Sequence, residues 1–295
     1  MSFLNQKTIK DRISINGIGL HTGKLVTLNL IPSAPNTGII FKRTDLKEKN
    51  IIIPRYDNVT DTTLCTTISN EFGAKVSTIE HLMGALYGLG IDNLLIEVDS
   101  QELPILDGSA KEFVKKILGT GVKTSSTPIK LIKINKKVSY SEGSKSILID
   151  KSKIASEIDF TIRYNNKIIG TQTNKINIFN DKLENIFNSR TFCLFEDVEK
   201  LQKAGLAKGG NLENAIVVGK NEILNNSGLR NEKEFVNHKI LDCMGDLFLS
   251  GYRVMGKVVT AEGGHSLTNK ILRKLFEDKN NFSVIEIKEK TLPYQ

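Results

Sequence analysis

His238, Asp242 and Asp246 recur at intervals of four residues in a segment whose other members include Ile240, Leu241, Cys243, Met244, Leu247 and Phe248. A step of four residues advances a helix by about 40°, so the three polar groups form one stripe on an oily rod. An imidazole and a carboxylate held against a core need a compensating partner, either protein or cation. Zinc suits this donor set, because catalytic zinc takes three protein ligands and leaves a fourth position open. A buried His–Asp hydrogen bond accounts for the two residues equally well.

The chain has four histidines, His21, His81, His238 and His265. Glu80 directly precedes His81, so a metal on the imidazole would leave the neighbouring carboxylate placed to act as a general base. The same glutamate fits a structural role, as capping partner of Ser77 in Ser77-Thr78-Ile79-Glu80, and the local sequence does not separate the two. His265, in Glu262-Gly263-Gly264-His265-Ser266, reads as a loop residue just before a helix, placed as an acid or anion stabiliser. His21, in Gly19-Leu20-His21-Thr22-Gly23, reads as a hairpin residue without chemistry.

These groups must be positioned by two similar units. Residues 13–31 alternate around glycines and predict two strands joined by a tight turn. Ser77 to Gly90 predicts a capped helix, Leu94 to Val98 a short buried strand, and Ser109 to Leu118 a second capped helix. Gly119 to Pro128 reads as a linker. Strands around Lys130–Val138, Ser146–Ile149 and Ile158–Tyr164 follow, then the His238 helix, a strand over Val254–Thr260, a glycine turn and a helix over Thr268–Phe276. Ser109 follows His81 by 28 residues and Ser266 follows His238 by the same 28, so a helix, strand, turn, helix unit occurs twice and opens each time with a histidine. Packing of the repeated helices against each other would let His81 supply a third ligand.

Lys208-Gly209-Gly210-Asn211 follows a helical pattern over Glu196–Ala207 and precedes a small strand, Ala215–Val218. Without Walker spacing it reads as a tight turn rather than a phosphate cradle. The apolar side of this segment, Val198, Leu201, Leu206, Ile216 and Val217, fits local core and the lining of a groove for a chain-like ligand equally.

Composition sets bounds. With 295 residues, 39% hydrophobic and 25% charged, the chain has the balance of a soluble globular protein and length for two domains. Met1 to Lys10 contains no signal-peptide core and no apolar run reaches bilayer length, so a cytoplasmic protein is expected. Cys65, Cys193 and Cys243 show no metal-ribbon or redox spacing and are expected as free thiols. The net charge of +8 comes mainly from scattered lysines and invites, without requiring, an anionic partner.

Eight segments in one order, Gly17–Gly23, Thr78–Leu82, Gly90–Asn93, Pro104–Ser109, Ser189–Phe192, Lys208–Asn211, Asn231–Asp242 and Gly263–Leu267, resemble the UDP-3-O-acyl-N-acetylglucosamine deacetylases of lipid A biosynthesis. The resemblance spans nearly the whole chain. It implies Zn2+ on His81, His238 and Asp242, Glu80 as general base and His265 as the cationic acid. It further implies Thr191 polarising the acetyl carbonyl, Lys239 meeting the sugar or diphosphate, Asp246 orienting His265, and Phe192 against the sugar or nucleotide. Residues 193–220 would be a small β-α-β insert, with Gly210 and Val217 among the substrate contacts and an apolar side for the acyl chain. The implied fold class is α+β: two related domains, 1–126 and 127–295, each a β-sheet with two α-helices, forming a β-α-α-β layered sandwich. The substrate would be an acylated UDP-amino sugar, taken by a monomer with no nucleic acid partner and room for peripheral contact with the inner membrane face. Cys65 aligns with a family cysteine that can contact a second, inhibitory metal, although we read it as an ordinary buried thiol. The stretch 168–188 departs most from the family pattern. The competing reading is a basic RNA-binding α/β sandwich without catalysis.

Overall fold

The computed structural model describes residues 4–153 and 155–287; the outer ends of the two expected domains, 1–3 and 288–295, lie outside the described residues. Among the described residues the α-helices are α1 (Glu80–Leu89), α2 (Lys111–Thr120), α3 (Glu184–Phe187), α4 (Phe195–Lys203), α5 (Glu234–Phe248) and α6 (His265–Glu277). The strand Leu25–Pro32 shows how the outer layers form: Val26, Leu28 and Leu30 are buried while Leu25 is exposed, the alternation of a sheet with one covered face. It sits between Ile13–Ile18 and Leu94–Val98, and Ile39–Arg43 and Ile51–Ile52 complete a five-stranded sheet.

The second sheet has seven strands centred on Arg253–Ala261. That strand pairs antiparallel with Lys145–Asp150, and parallel with Lys130–Ile134 through its first residues and with Ser156–Arg163 through its later ones. Helices α1, α2, α5 and α6 lie between the two sheets, and one continuous core runs from Leu28 and Phe41 in the first sheet to Ile149 and Phe160 in the second. This is the α+β layered sandwich with two related halves. The repeated order is present, as α1, the strand Leu94–Val98 and α2, and again as α5, the strand Arg253–Ala261 and α6.

Helix α5 is buried on every side, with Lys239 the one residue of its fifteen that is not. A helix enclosed all round belongs at the centre of a molecule. Its closest neighbour is α1, and glycines permit that approach. A Cβ on Gly84 would lie 2.7 Å from the Leu241 carbonyl oxygen, and one on Gly245 would overlap the Glu80 carbonyl. These two close approaches bracket His81 on α1 and Asp242 on α5.

Three local expectations are corrected. Ser77 does not cap α1: its hydroxyl donates to the Gln101 carbonyl and its backbone bridges to Glu102, drawn there by pairing with the Gln101–Leu103 segment. Gly119 to Pro128 is not a linker, since α2 runs to Thr120 and Val122–Pro128 is a strand antiparallel to Asn5–Ile9; its Val and Thr residues are good strand formers once a partner strand is present. His265 does not precede a helix but is the first residue of α6.

Candidate active site

The N-terminal turn of α1, the middle of α5 and the start of α6 converge on one small cavity. Glu80, His81, Thr191, His238, Lys239, Asp242 and His265 line it, together with Leu20, His21, Leu64, Cys65, Thr78 and Ile105. His81, His238 and Asp242 offer ligand atoms that all lie within 4.8 Å of one another, and all three side chains are buried. The expected triad therefore meets across the helix–helix crossing.

The Asp242 carboxylate shows what this cluster lacks. Its Oδ2 accepts from Lys239 Nζ at 2.9 Å. Its Oδ1 is buried with no hydrogen-bond partner, and it faces His238 Nε2 at 3.4 Å and His81 Nε2 at 3.5 Å. Ser189 presents only a carbonyl oxygen to His238 Nδ1, at 3.1 Å, so Nδ1 carries the proton and Nε2 is left bare. Burial drives the His238 imidazole down to about 3 and lowers that of His81 as well, so both rings are neutral. Burial alone would raise the Asp242 carboxyl, but the positive charges beside it, Lys239 and His265, hold it well below the ordinary range. One unpartnered anionic oxygen facing two neutral imidazoles, of which His238 is bare at Nε2, is a donor set that fits a divalent cation.

Beside the cluster stands an acid–base pair. Burial, reinforced by the charges of Asp242 and Asp246, pushes Glu80 up to about 7 against the opposing pull of His265. Its Oε2 accepts the backbone N–H of Thr66 at 3.1 Å, and its Oε1 lies 4.0 Å from His265 Nε2. Burial works against the charged form of His265, yet Asp246, Glu80 and Asp242 outweigh it and lift the imidazole to about 9. Asp246 Oδ2 lies 2.8 Å from His265 Nδ1. At neutral pH the pair thus holds a carboxylate close to its titration point and an imidazolium.

The remaining expected residues lie around this centre at different depths. Thr191 reaches the cavity, held by its backbone N–H to Gly108 and its carbonyl to Ile216. Phe192 packs edge-on against Phe235 with ring centroids 5.0 Å apart, and Lys239 Nζ stands 5.9 Å above its ring. Gly210 and Val217 belong to the insert, where Phe192–Leu194 pairs parallel with Ile216–Val218, and neither lines the cavity. The Lys208–Asn211 turn is no phosphate cradle, because Gly209 N–H donates to Leu20 and Gly210 N–H to Ala207. Cys65 lines the cavity as a thiol that burial pushes up to about 12.

Two residues at the site escaped the sequence reading. His21 lines the cavity with both ring nitrogens buried and unpartnered. Thr66 bonds to Glu80 and to Asp246, the partner of His265. The glycines flanking His21 marked a turn but gave no hint of where it folds, and Thr66 belongs to no motif at all.

The helical layer thus carries groups suited to metal-assisted hydrolysis: a His–His–Asp cluster that could hold a cation, a carboxylate able to take a proton and an imidazolium able to give one. Comparison with known proteins narrows the class. The LpxC family profile, described as UDP-3-O-acyl N-acetylglycosamine deacetylase, matches residues 6–277. Proteins named UDP-3-O-acyl-N-acetylglucosamine deacetylase are similar over nearly full length. That of Actinobacillus succinogenes is 43% identical over 292 residues, covering 97% of this chain and 95% of the relative. That of a Psychrobacter species is 42% identical, covering 96% of each chain, and that of Haemophilus ducreyi 41%, covering 96% and 93%. The chain belongs to this family of enzymes. The RNA-binding alternative finds no support in these relatives.

Proposed function

We propose that this chain hydrolyses the N-acetyl group of UDP-3-O-(3-hydroxyacyl)-N-acetylglucosamine, giving acetate and the free amine, as the committed step of lipid A biosynthesis. The observation that carries the reading is the buried, unpartnered Asp242 Oδ1 facing Nε2 of both His81 and His238, with Glu80 and His265 alongside. His81, His238 and Asp242 would hold Zn2+. Bound there, zinc supplies Lewis acidity, polarising a carbonyl and bringing the pKa of water toward neutrality.

Glu80, ionised, takes a proton from water as its oxygen bonds to the acetyl carbon. The Thr191 hydroxyl and the His265 imidazolium face the carbonyl oxygen as negative charge builds on it, and their value lies in being fixed before that charge appears. His265 then gives its proton to the glucosamine nitrogen as the carbon–nitrogen bond breaks. Asp246 keeps His265 charged and oriented. Lys239 offers a cation to the sugar or diphosphate, Phe192 an aromatic face to the sugar or nucleotide, and the insert, with Gly210 and Val217, an apolar course for the acyl chain. With 1–126 carrying Glu80 and His81 and 127–295 carrying the rest, the reaction would lie where the two halves meet. A cytoplasmic location is consistent with the three cysteines all being free; among the described residues no helix is long and apolar enough to cross a membrane.

The direct test measures acetate release from the acylated nucleotide sugar before and after chelation, with metal content determined in parallel. We expect one zinc per chain, loss of turnover on chelation and recovery with zinc. Glu80→Gln should keep the metal and lose at least about a hundredfold in turnover, since it removes the base and no ligand. Turnover that survives both chelation and Glu80→Gln would overturn the reading.

A further inference from the structure

Thr66 lies just before the strand Thr67–Ser69 of a small three-stranded sheet in the first half of the chain, 1% exposed. Its hydroxyl donates to Asp246 Oδ1 at 2.6 Å, and its backbone N–H donates to Glu80 Oε2 at 3.1 Å. The other Asp246 oxygen holds His265. One residue is therefore bonded at once to the general base on α1 and to the carboxylate on α5 that orients the acid on α6. We propose that Thr66 is a positioning residue for the deacetylation, fixing the Asp246 carboxylate so that its second oxygen meets His265 Nδ1. This rests on the roles given above to Glu80, Asp246 and His265.

The physical argument is one of geometry. A carboxylate bonded through one oxygen alone is free to turn about its Cβ–Cγ bond. A short hydrogen bond to the second oxygen removes that freedom, and hydrogen bonds to a charged group are among the stronger ones in a buried setting. The bond crosses between the two halves of the chain, from residue 66 to residue 246, so it also fixes the spacing of the acid–base pair. Hydroxyl and amide act separately: a substitution of the side chain leaves the N–H to Glu80 in place.

Thr66→Val removes the hydroxyl at nearly constant shape. We expect kcat to fall about tenfold, the loss of one hydrogen bond to a charged group, with KM and zinc content within twofold of the parent. Thr66→Ser, which keeps the hydroxyl and loses the methyl, should recover most of kcat. In an Asp246→Asn background, Thr66→Val should cost nothing further, because the group it acts through is already altered. An unchanged kcat in Thr66→Val, an equal loss in Thr66→Ser, or full additivity with Asp246→Asn would each overturn the proposal. His265→Ala and Glu80→Gln, assayed alongside, separate the two claims: undiminished turnover in those variants defeats the roles assigned to the pair, whereas the Thr66–Asp246 coupling is read from the cycle itself.

Discussion

Asp246 and His265, nineteen residues apart on different helices, are joined through Oδ2 and Nδ1 at 2.8 Å with both side chains buried. Burial by itself would strip the proton from this imidazole, and the neighbouring carboxylates, Asp246 foremost, reverse the outcome and lift it to about 9. The proton on this imidazole therefore depends on the carboxylates around it, Asp246 first.

A pH dependence follows from this pair. Activity needs Glu80 ionised, so it should fall as pH drops through about 7, and it needs His265 protonated, so it should fall as pH rises through about 9. Asp246→Asn removes the largest influence holding the imidazole up. The alkaline limb of kcat/KM should then move down by more than about one pH unit, while the acid limb, where loss of the Asp246 charge favours ionised Glu80, moves slightly down. A pH–rate profile of the variant with an alkaline limb at the parent value would contradict the assignment of His265 as the acid.

Metal dependence should show in stability as well as in turnover. Without a cation, Asp242 Oδ1 is buried with no hydrogen-bond partner and presents its lone pairs to the bare His238 Nε2, an arrangement that costs free energy. Asp242→Asn can place its NH2 at that position while its oxygen keeps the bond to Lys239. Metal-free Asp242→Asn should therefore unfold at the same temperature as the metal-free parent or above it. Zinc at about a hundred times its dissociation constant should stabilise the parent by about 2.7 kcal/mol and leave the variant unchanged. Thermal unfolding of both proteins with and without zinc checks this, and an equal zinc response would remove Asp242 from the ligand set.

How much of this was open to sequence reading depends on how far apart the partners lie. The His238–Asp242 relation was legible because both groups sit on one helix, where spacing fixes direction. His81 came within reach through the repeated order of elements, and the residue roles through resemblance to the family. Thr66 was not legible, since its partners Glu80 and Asp246 meet it only after three elements have packed. The Ser77 cap failed for a related reason: the pattern was right for an isolated helix, but pairing with the Gln101–Leu103 segment claimed the backbone and left the Glu80 carboxylate for the cavity. Local rules broke at the residue that carries chemistry.

The glycines at the α1–α5 crossing offer a test of how tightly the helices hold the site. In a helix interior, Gly→Ala gains about 1 kcal/mol of propensity. At Gly245 the added methyl would meet the Glu80 carbonyl and Cα, backbone atoms that cannot swing aside. Overpacking of a core costs about 1–3 kcal/mol or more, so the steric loss should win. Gly245→Ala should lower the unfolding midpoint and reduce zinc affinity by displacing α1 from α5. Gly84→Ala, whose neighbours include the flexible Leu241 side chain as well as its carbonyl, should do the same less severely. A Gly245→Ala protein with raised stability and full zinc affinity would show that the crossing is looser than its geometry states.

The buried pair Arg190–Glu234 should control His238 from a distance. Arg190 Nε donates to Glu234 Oε1 at 2.8 Å, and the Arg190 backbone N–H donates to the same oxygen at 3.1 Å. Glu234 is wholly buried at the start of α5, and Arg190 lies between Ser189, whose carbonyl holds His238 Nδ1, and Thr191 in the cavity wall. Glu234→Ala leaves a buried guanidinium unpaired, which costs about 3–5 kcal/mol. It also frees the Ser189–Thr191 segment from the helix that carries His238. Loss of such an outer partner weakens metal binding by roughly 10–100-fold. Glu234→Gln keeps the hydrogen-bonding shape without the charge and should show a smaller stability loss with most of the zinc affinity retained. Competitive zinc titration of the two variants separates the effects: a Glu234→Ala protein that is less stable yet binds zinc as the parent does would make the pair a fold element with no influence on the ligand.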